Sequence, residues 1–97
     1  MKEIGMLNTH PAIVVVDDHP LMRKTICQVL ESKGFHVELQ LSNGQELLNT
    51  LSRIATVPKI CILDIQISVM NGLDTLKKIR ELYPGIKTLV YSFTTNE

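Results

Sequence analysis

Long apolar runs, net charge and clustered cysteines are all missing from this chain, and each absence closes off a class of protein. No apolar run approaches the roughly 18–20 residues of a membrane span, so no membrane association is expected. Met1–His10 has no apolar h-region and reads as a flexible leader, not a secretory signal. Lys plus Arg and Asp plus Glu stand at 10 each, so the formal charge is zero. Such a chain has no general electrostatic hold on nucleic-acid phosphates, and direct nucleic-acid binding is not expected. Cys27 and Cys61 fall in a helix-like and a strand-like segment, with neither disulfide-framework nor zinc spacing. Reduced thiols and a cytoplasmic location follow. There is no internal repeat, low-complexity stretch or linker. With 97 residues, 44% of them hydrophobic, one small globular domain over 11–97 is expected.

What the chain does have is carboxylates at the ends of apolar runs. Asp17 and Asp18 follow Ala12-Ile13-Val14-Val15-Val16, and Asp64 follows Ile60-Cys61-Ile62-Leu63. If both runs are parallel strands of one sheet, the three acids emerge at one carboxyl edge, where open α/β sheets place their chemistry. Neither run contains a basic residue to pair with them. Close carboxylates repel, so this set would attract a hard divalent cation, Mg2+ above all. One of them could then serve as a nucleophile towards phosphorus.

The pattern along the chain supports that placement. Ala12–Val16 reads as a strand buried on both faces. Pro20 suits the first turn of a helix, and Met22, Ile26, Val29, Leu30 and Lys33 follow at helical spacing until Gly34. His36–Leu41 alternates, with Val37, Leu39 and Leu41 on one face, as in a half-covered strand near a sheet edge. Asn43-Gly44 opens a second helix with the stripe Leu47, Leu48, Leu51 and Ile54. A strand at Lys59–Leu63 follows Pro58, and Asn71-Gly72 is a turn signal. Leu73, Leu76, Ile79, Leu82 and Tyr83 mark a third helix, stopped by Pro84-Gly85, and Lys87–Ser92 is a fourth strand. The order βαβαβαβ with short loops predicts an α/β fold with a parallel sheet built from right-handed crossovers.

These residues resemble the receiver, or phosphoacceptor, domain of bacterial two-component response regulators. Val15-Val16-Asp17-Asp18-His19-Pro20-Leu21 looks most like receivers that carry a LuxR-type helix-turn-helix. Ile62-Leu63-Asp64 followed by Met70-Asn71-Gly72 is similar to the family's D-x-x-M-P-x-M-D/N-G. Ser42-Asn43-Gly44-Gln45-Glu46 resembles its A/S-x-D/N-G-x-E/D-A turn, and Leu89-Val90-Tyr91-Ser92 its strand ending in Ser or Thr. Each signature is weak alone, but together they cover nearly the whole chain in register. The resemblance implies a flavodoxin-like (CheY-like) sheet of order 2-1-3-4, incomplete. It implies Asp64 as phosphoacceptor, Asp18 as a direct Mg2+ ligand and Asp17 as a helper through water or hydrogen bonding. The backbone carbonyl of Gln66 would be a further Mg2+ ligand, and Ser92 the switch hydroxyl. A cognate sensor histidine kinase is the implied donor, and an output, transcription control, the implied target.

The sequence departs from the family in three places. Ile67-Ser68 replaces the Met-Pro pair, which removes a stiffener from the loop after Asp64. Phe93 follows Ser92 where many receivers have a smaller residue, and would narrow access to the phosphate. The last helix–strand–helix elements of the family are not matched, and with them the fifth-strand Lys that contacts the phosphoryl group; Lys87 lies at the wrong end of the sheet. Slow phosphoryl transfer is the expected consequence. An unpartnered fourth strand and uncovered apolar surface on the sheet and first helix lead to a further expectation, a homo-oligomer through that strand and the bare sheet face.

Plainer readings stand beside these. Asp17-Asp18 could be a helix N-cap pair, and Ser92 a strand-end serine. His19 reads as a loop residue beside the pocket and not a metal ligand; His10 and His36 are too scattered to form a site. Met70 reads as a core plug, and Lys77, Lys78 and Arg80 as the solvated face of the third helix. Two other functions compete: a binding-only receiver with little phosphotransfer, and a phosphatase of the haloacid dehalogenase type. The latter wants an acid two residues after its nucleophile, where this chain has Gln66.

Overall fold

The protein is described by a computed structural model over residues 11–66 and 70–92. The readings of 1–10 as a leader, of Ile67-Ser68 and of Phe93 lie outside the described residues. Seven elements alternate: β1 (Ala12–Val16), α1 (Pro20–Ser32), β2 (His36–Leu41), α2 (Gly44–Leu51), β3 (Ile60–Asp64), α3 (Gly72–Leu82) and β4 (Lys87–Tyr91). The four strands form one parallel sheet in the order β2-β1-β3-β4, the order expected from the sequence. No helix among the described residues is long and apolar enough to cross a membrane.

The helices start and stop for local reasons. Asn43 and Asn71 cap α2 and α3, their side chains accepting from the backbone N–H of Glu46 (2.8 Å) and Asp74 (2.9 Å). α1 begins at Pro20 and has no side-chain cap. It ends at Gly34, whose φ of 92° lies in the left-handed region that glycine enters without steric cost.

Alternation along the strands splits the core in two. Val14, Val16, Cys61 and Leu63 pack with Leu47, Leu51 and Ile79 under α2 and α3. Ile13 and Val15 pack with Cys27 of α1, flanked by Ile26, Leu30, Val37, Ile60 and Ile62. Burial pushes the Cys61 thiol up to about 12, as befits an inert packing residue.

Three apolar patterns read from the sequence need correction. A register shift between Ile13 and Val14 moves the partner from Val37 to Leu39. Val37 therefore packs on the α1 side while Leu39 and Leu41 pack on the other, so the three do not share one face. On α3 the core face runs through Thr75, Ile79 and Tyr83, and Leu73 and Leu82 are exposed. On α1, Val29 is exposed and Cys27 takes the buried place.

Candidate functional site

The period of two places the acids. Asp17 continues the face of Ile13 and Val15; Asp64 continues that of Ile60 and Ile62. β1 and β3 are paired in parallel, Val16 opposite Leu63, so both chains leave the sheet at one edge. Asp17 is 0% and Asp64 2% exposed, while Asp18 is half-buried. One ligand atom from each of Asp17, Asp18, His19 and Asp64 fits within 4.8 Å of all the others. The three carboxylates singled out from the sequence thus converge, with an imidazole among them.

The local hydrogen bonds explain how buried carboxylates are tolerated. Oδ1 of Asp17 accepts from the backbone N–H of His19 at 2.8 Å and lies 2.9 Å from His19 Nδ1. Its Oδ2 accepts from the hydroxyl of Tyr91. Its backbone carbonyl accepts from Arg23 Nη1 at 2.6 Å, one turn into α1. Burial pushes the Asp17 carboxyl up, but the bonds from Tyr91 and His19 outweigh it and hold the group below the usual range. Asp64 goes the other way. Burial raises it, and the nearby charge of Asp17 adds to the rise, although the Gln66 N–H donates to Oδ1 at 2.9 Å. His19 is raised by its bond to Asp17, and burial drives the Tyr91 phenol far up, helped by the same carboxylate.

The remaining expected residues sit at the same edge. Asp64 is paired with Tyr91, and the Ile65 N–H donates to the Tyr91 carbonyl at 2.8 Å. Ser92, one residue on, leaves β4 at that edge and is exposed. Gln66 is in the turn after β3 and offers its N–H to the phosphoacceptor candidate. Lys87 is exposed at the opposite end of β4, as expected. The loop returning from β3 is shaped by two residues. Met70 has φ of 61°, rare for a non-glycine residue. Gly72 donates to the Ile65 carbonyl at 3.2 Å, so close that an added Cβ would lie 2.4 Å from Ile65 Cα. Asn71-Gly72 therefore does more than turn the chain: Gly72 lets α3 begin against the backbone beside Asp64.

Sequence reasoning missed Tyr91 and Arg23, and left His19 outside the pocket. A usable signal existed for Tyr91. In a parallel ladder, the residue opposite Asp64 must share its face and edge. No comparable signal existed for Arg23, whose bond depends on the angle at which α1 leaves β1.

The donor set fits a hard divalent cation. It consists of carboxylate oxygens, two of them on fully or nearly fully buried side chains, close enough to share one ion.

Comparison with known proteins agrees with the fold. The response regulator receiver domain family matches residues 13–97. The chain belongs to that family. It is 43% identical over 81 residues to a protein-glutamate methylesterase/protein-glutamine glutaminase of Clostridium acetobutylicum, covering 82% of this chain and 23% of that protein. It is 32% identical over 94 residues to the nitrate/nitrite response regulator NarL of Escherichia coli, covering 95% of this chain and 43% of that one. A CheY-like receiver domain from Methanospirillum hungatei superposes with a TM-score of 0.76 at 25% identity, over 91% of this chain and 68% of that chain. A LuxR-family response regulator from an Aurantimonas species gives a TM-score of 0.79 at 21% identity, over 91% and 62%, a likeness of fold alone. The chain spans less than half the length of these two curated relatives. Receiver domains are signalling modules of two-component systems, and this is the class that the family match and the fold define.

Proposed function

We propose that Asp64 accepts a phosphoryl group from the phosphohistidine of a sensor kinase, in the cytoplasm, and that the change controls an output. The observation that carries this reading is the buried Asp64 at the end of β3, with Asp17 and Asp18 within reach of one shared cation. Asp18, Asp64 and the Gln66 carbonyl would hold Mg2+, with Asp17 kept in place by Tyr91 and His19. When bound, Mg2+ would supply neutralising charge for the transferring oxygens. An Asp64 oxygen attacks phosphorus in line. The P–O bond forms as the P–N bond breaks, and the electron pair returns to the kinase imidazole. The Gln66 N–H steadies the attacking carboxylate. Ser92, exposed just past the end of β4, would close on the new phosphoryl oxygens and carry the change into the end of β4.

The output we infer is transcription, through a DNA-binding portion outside these residues. The similarity of the first signature, Asp17-Asp18-His19-Pro20, to LuxR-type receivers supports it. A second reading, control of a methylesterase, is favoured by the 43% identity to such a protein. A third proposal concerns assembly. Among the described residues β4 pairs only with β3, and Leu89 is 61% exposed on it. We expect a homo-oligomer that covers β4 and the open sheet face.

Two experiments test these readings. Incubation with acetyl phosphate and Mg2+ should add one phosphoryl mass to the chain and none to Asp64→Asn. No added mass, or equal labelling of the variant, would leave only a binding module. Sedimentation equilibrium at micromolar concentration should show association that Val90→Lys weakens; a monomer indifferent to that change removes the assembly proposal.

A further inference from the structure

Asp64 is at once the proposed phosphoacceptor and one of the most buried side chains of the protein, 2% exposed. In-line attack needs a phosphorus atom close to a carboxylate oxygen and aligned with it, and a covered carboxylate denies that approach. The strand register shows what covers it. Val16 pairs with Leu63, and Asp64 with Tyr91. Asp17, Asp64 and Tyr91 therefore stand in one row across the neighbouring strands β1, β3 and β4. Strands lie roughly 4.8 Å apart, so Asp17 and Tyr91 are separated by roughly 10 Å, with Asp64 between them. The Tyr91 hydroxyl nonetheless donates to Asp17 Oδ2. To make that bond the phenol must lie across β3, over Asp64. His19 approaches Asp64 Oδ2 at 3.6 Å from the β1 side, but on a side chain that is 63% exposed.

The residue after Tyr91 gives this cover a way to move. Consecutive residues of an extended chain point to opposite sides. With Tyr91 turned in over the acids, Ser92 faces out and is exposed. A rotation of the strand end that turns Ser92 inward carries the Tyr91 ring outward. The released hydroxyl keeps its proton and exchanges Asp17 Oδ2 for water. Asp17 stays in place, because the backbone N–H of His19 still donates to its Oδ1 at 2.8 Å.

We propose that Tyr91 is a gate over Asp64: bonded to Asp17 it closes the acceptor carboxylate, and phosphoryl transfer proceeds only after the phenol has swung away. The inference rests on reading Asp64 as the phosphoacceptor and adds what controls access to it. Tyr91 touches neither donor nor phosphorus, so it sets how often the site is open and not the chemistry of the step.

The first test is the initial rate of phosphoryl incorporation from acetyl phosphate and Mg2+ into the 97-residue chain and into Tyr91→Phe, with folding of the variant checked by circular dichroism. Phe keeps the ring but cannot latch to Asp17. The rate should rise by roughly two- to tenfold, the equilibrium factor of one ordinary hydrogen bond. Structural damage alone would lower it, so an unchanged or slower rate in a folded variant overturns the gate. A second measurement needs no variant. With 13C-labelled tyrosine rings, adding Mg2+ and beryllofluoride, a phosphoryl mimic, should increase relaxation of Tyr91 by a soluble nitroxide and leave Tyr83 as it was. Binding of the mimic with no gain at Tyr91 overturns the gate and leaves the phosphoacceptor reading intact. Failure of acetyl phosphate and of the mimic to react with the unaltered chain removes both together.

Discussion

On the α2/α3 face, β1 and β3 present Val14, Val16, Cys61 and Leu63 to two helices, and all four are buried. On the other face, among the described residues, the same strands present Ile13, Val15, Ile60 and Ile62 to α1 alone, and only the first two are buried. The residues differ little in hydrophobicity; the number of covering elements differs. Burial in a parallel strand is therefore decided by what lies across it. The acid pocket continues the less covered face, since Asp17, Asp64 and Tyr91 follow Val15, Ile62 and Leu89 two residues on.

The largest expected contrast comes from neighbouring residues. Leu63→Ala removes a fully buried side chain from the α2/α3 core and should cost about 2–5 kcal/mol in urea unfolding. A loss under 1 kcal/mol would mean that this face is no better packed than the other. Tyr91→Phe comes next. It strips a hydrogen bond from buried Asp17 and should cost about 1.5–3 kcal/mol at neutral pH. The sign of its pH dependence follows from the lowered Asp17 carboxyl. That stabilisation is fully present above the ordinary value near 3.8 and is lost as pH falls through the lower folded value. The gap between Tyr91→Phe and the unaltered chain should therefore close in acid; a constant gap would point to packing instead.

Asp64→Asn should act in the opposite direction. The folded-state carboxyl is raised, so its charge costs stability above the folded value and costs nothing once pH falls below the unfolded one. The Asn chain should melt higher at neutral pH without added cation, with an advantage that shrinks towards acid. Equal melting temperatures at neutral pH would show that Asp64 bears no repulsion in the empty pocket. The smallest effect is expected for Leu89→Ala on the open face, within about 0.5 kcal/mol, because Leu89 is 61% exposed. A larger, concentration-dependent loss would show that another surface covers β4 in solution.

Much of this was legible in the residues. Apolar runs of five and four residues leading into Asp17 and Asp64, helical stripes such as Leu47–Leu51, and Gly at helix boundaries gave the element order, the parallel sheet and the shared edge. Readings failed where a contact depends on geometry between elements. Leu73 and Leu82 fit a helical period, yet α3 meets the sheet through Thr75 and Ile79. Val37 fits a strand period, yet a register shift sends it to the other face. Periodicity reports that a face exists but not which neighbour it meets.

The sequence by itself determined the alternation of strands and helices and the position of Asp17, Asp18 and Asp64 at strand ends, because these follow from local periods and from residues that start or stop elements. Only the tertiary structure decided that His19 turns into the acids and that the Tyr91 hydroxyl, 74 residues from Asp17, stabilises its charge. Those bonds depend on the register of β4 on β3 and on how α1 departs from β1. Neither is a local property: both arise when distant segments pack together.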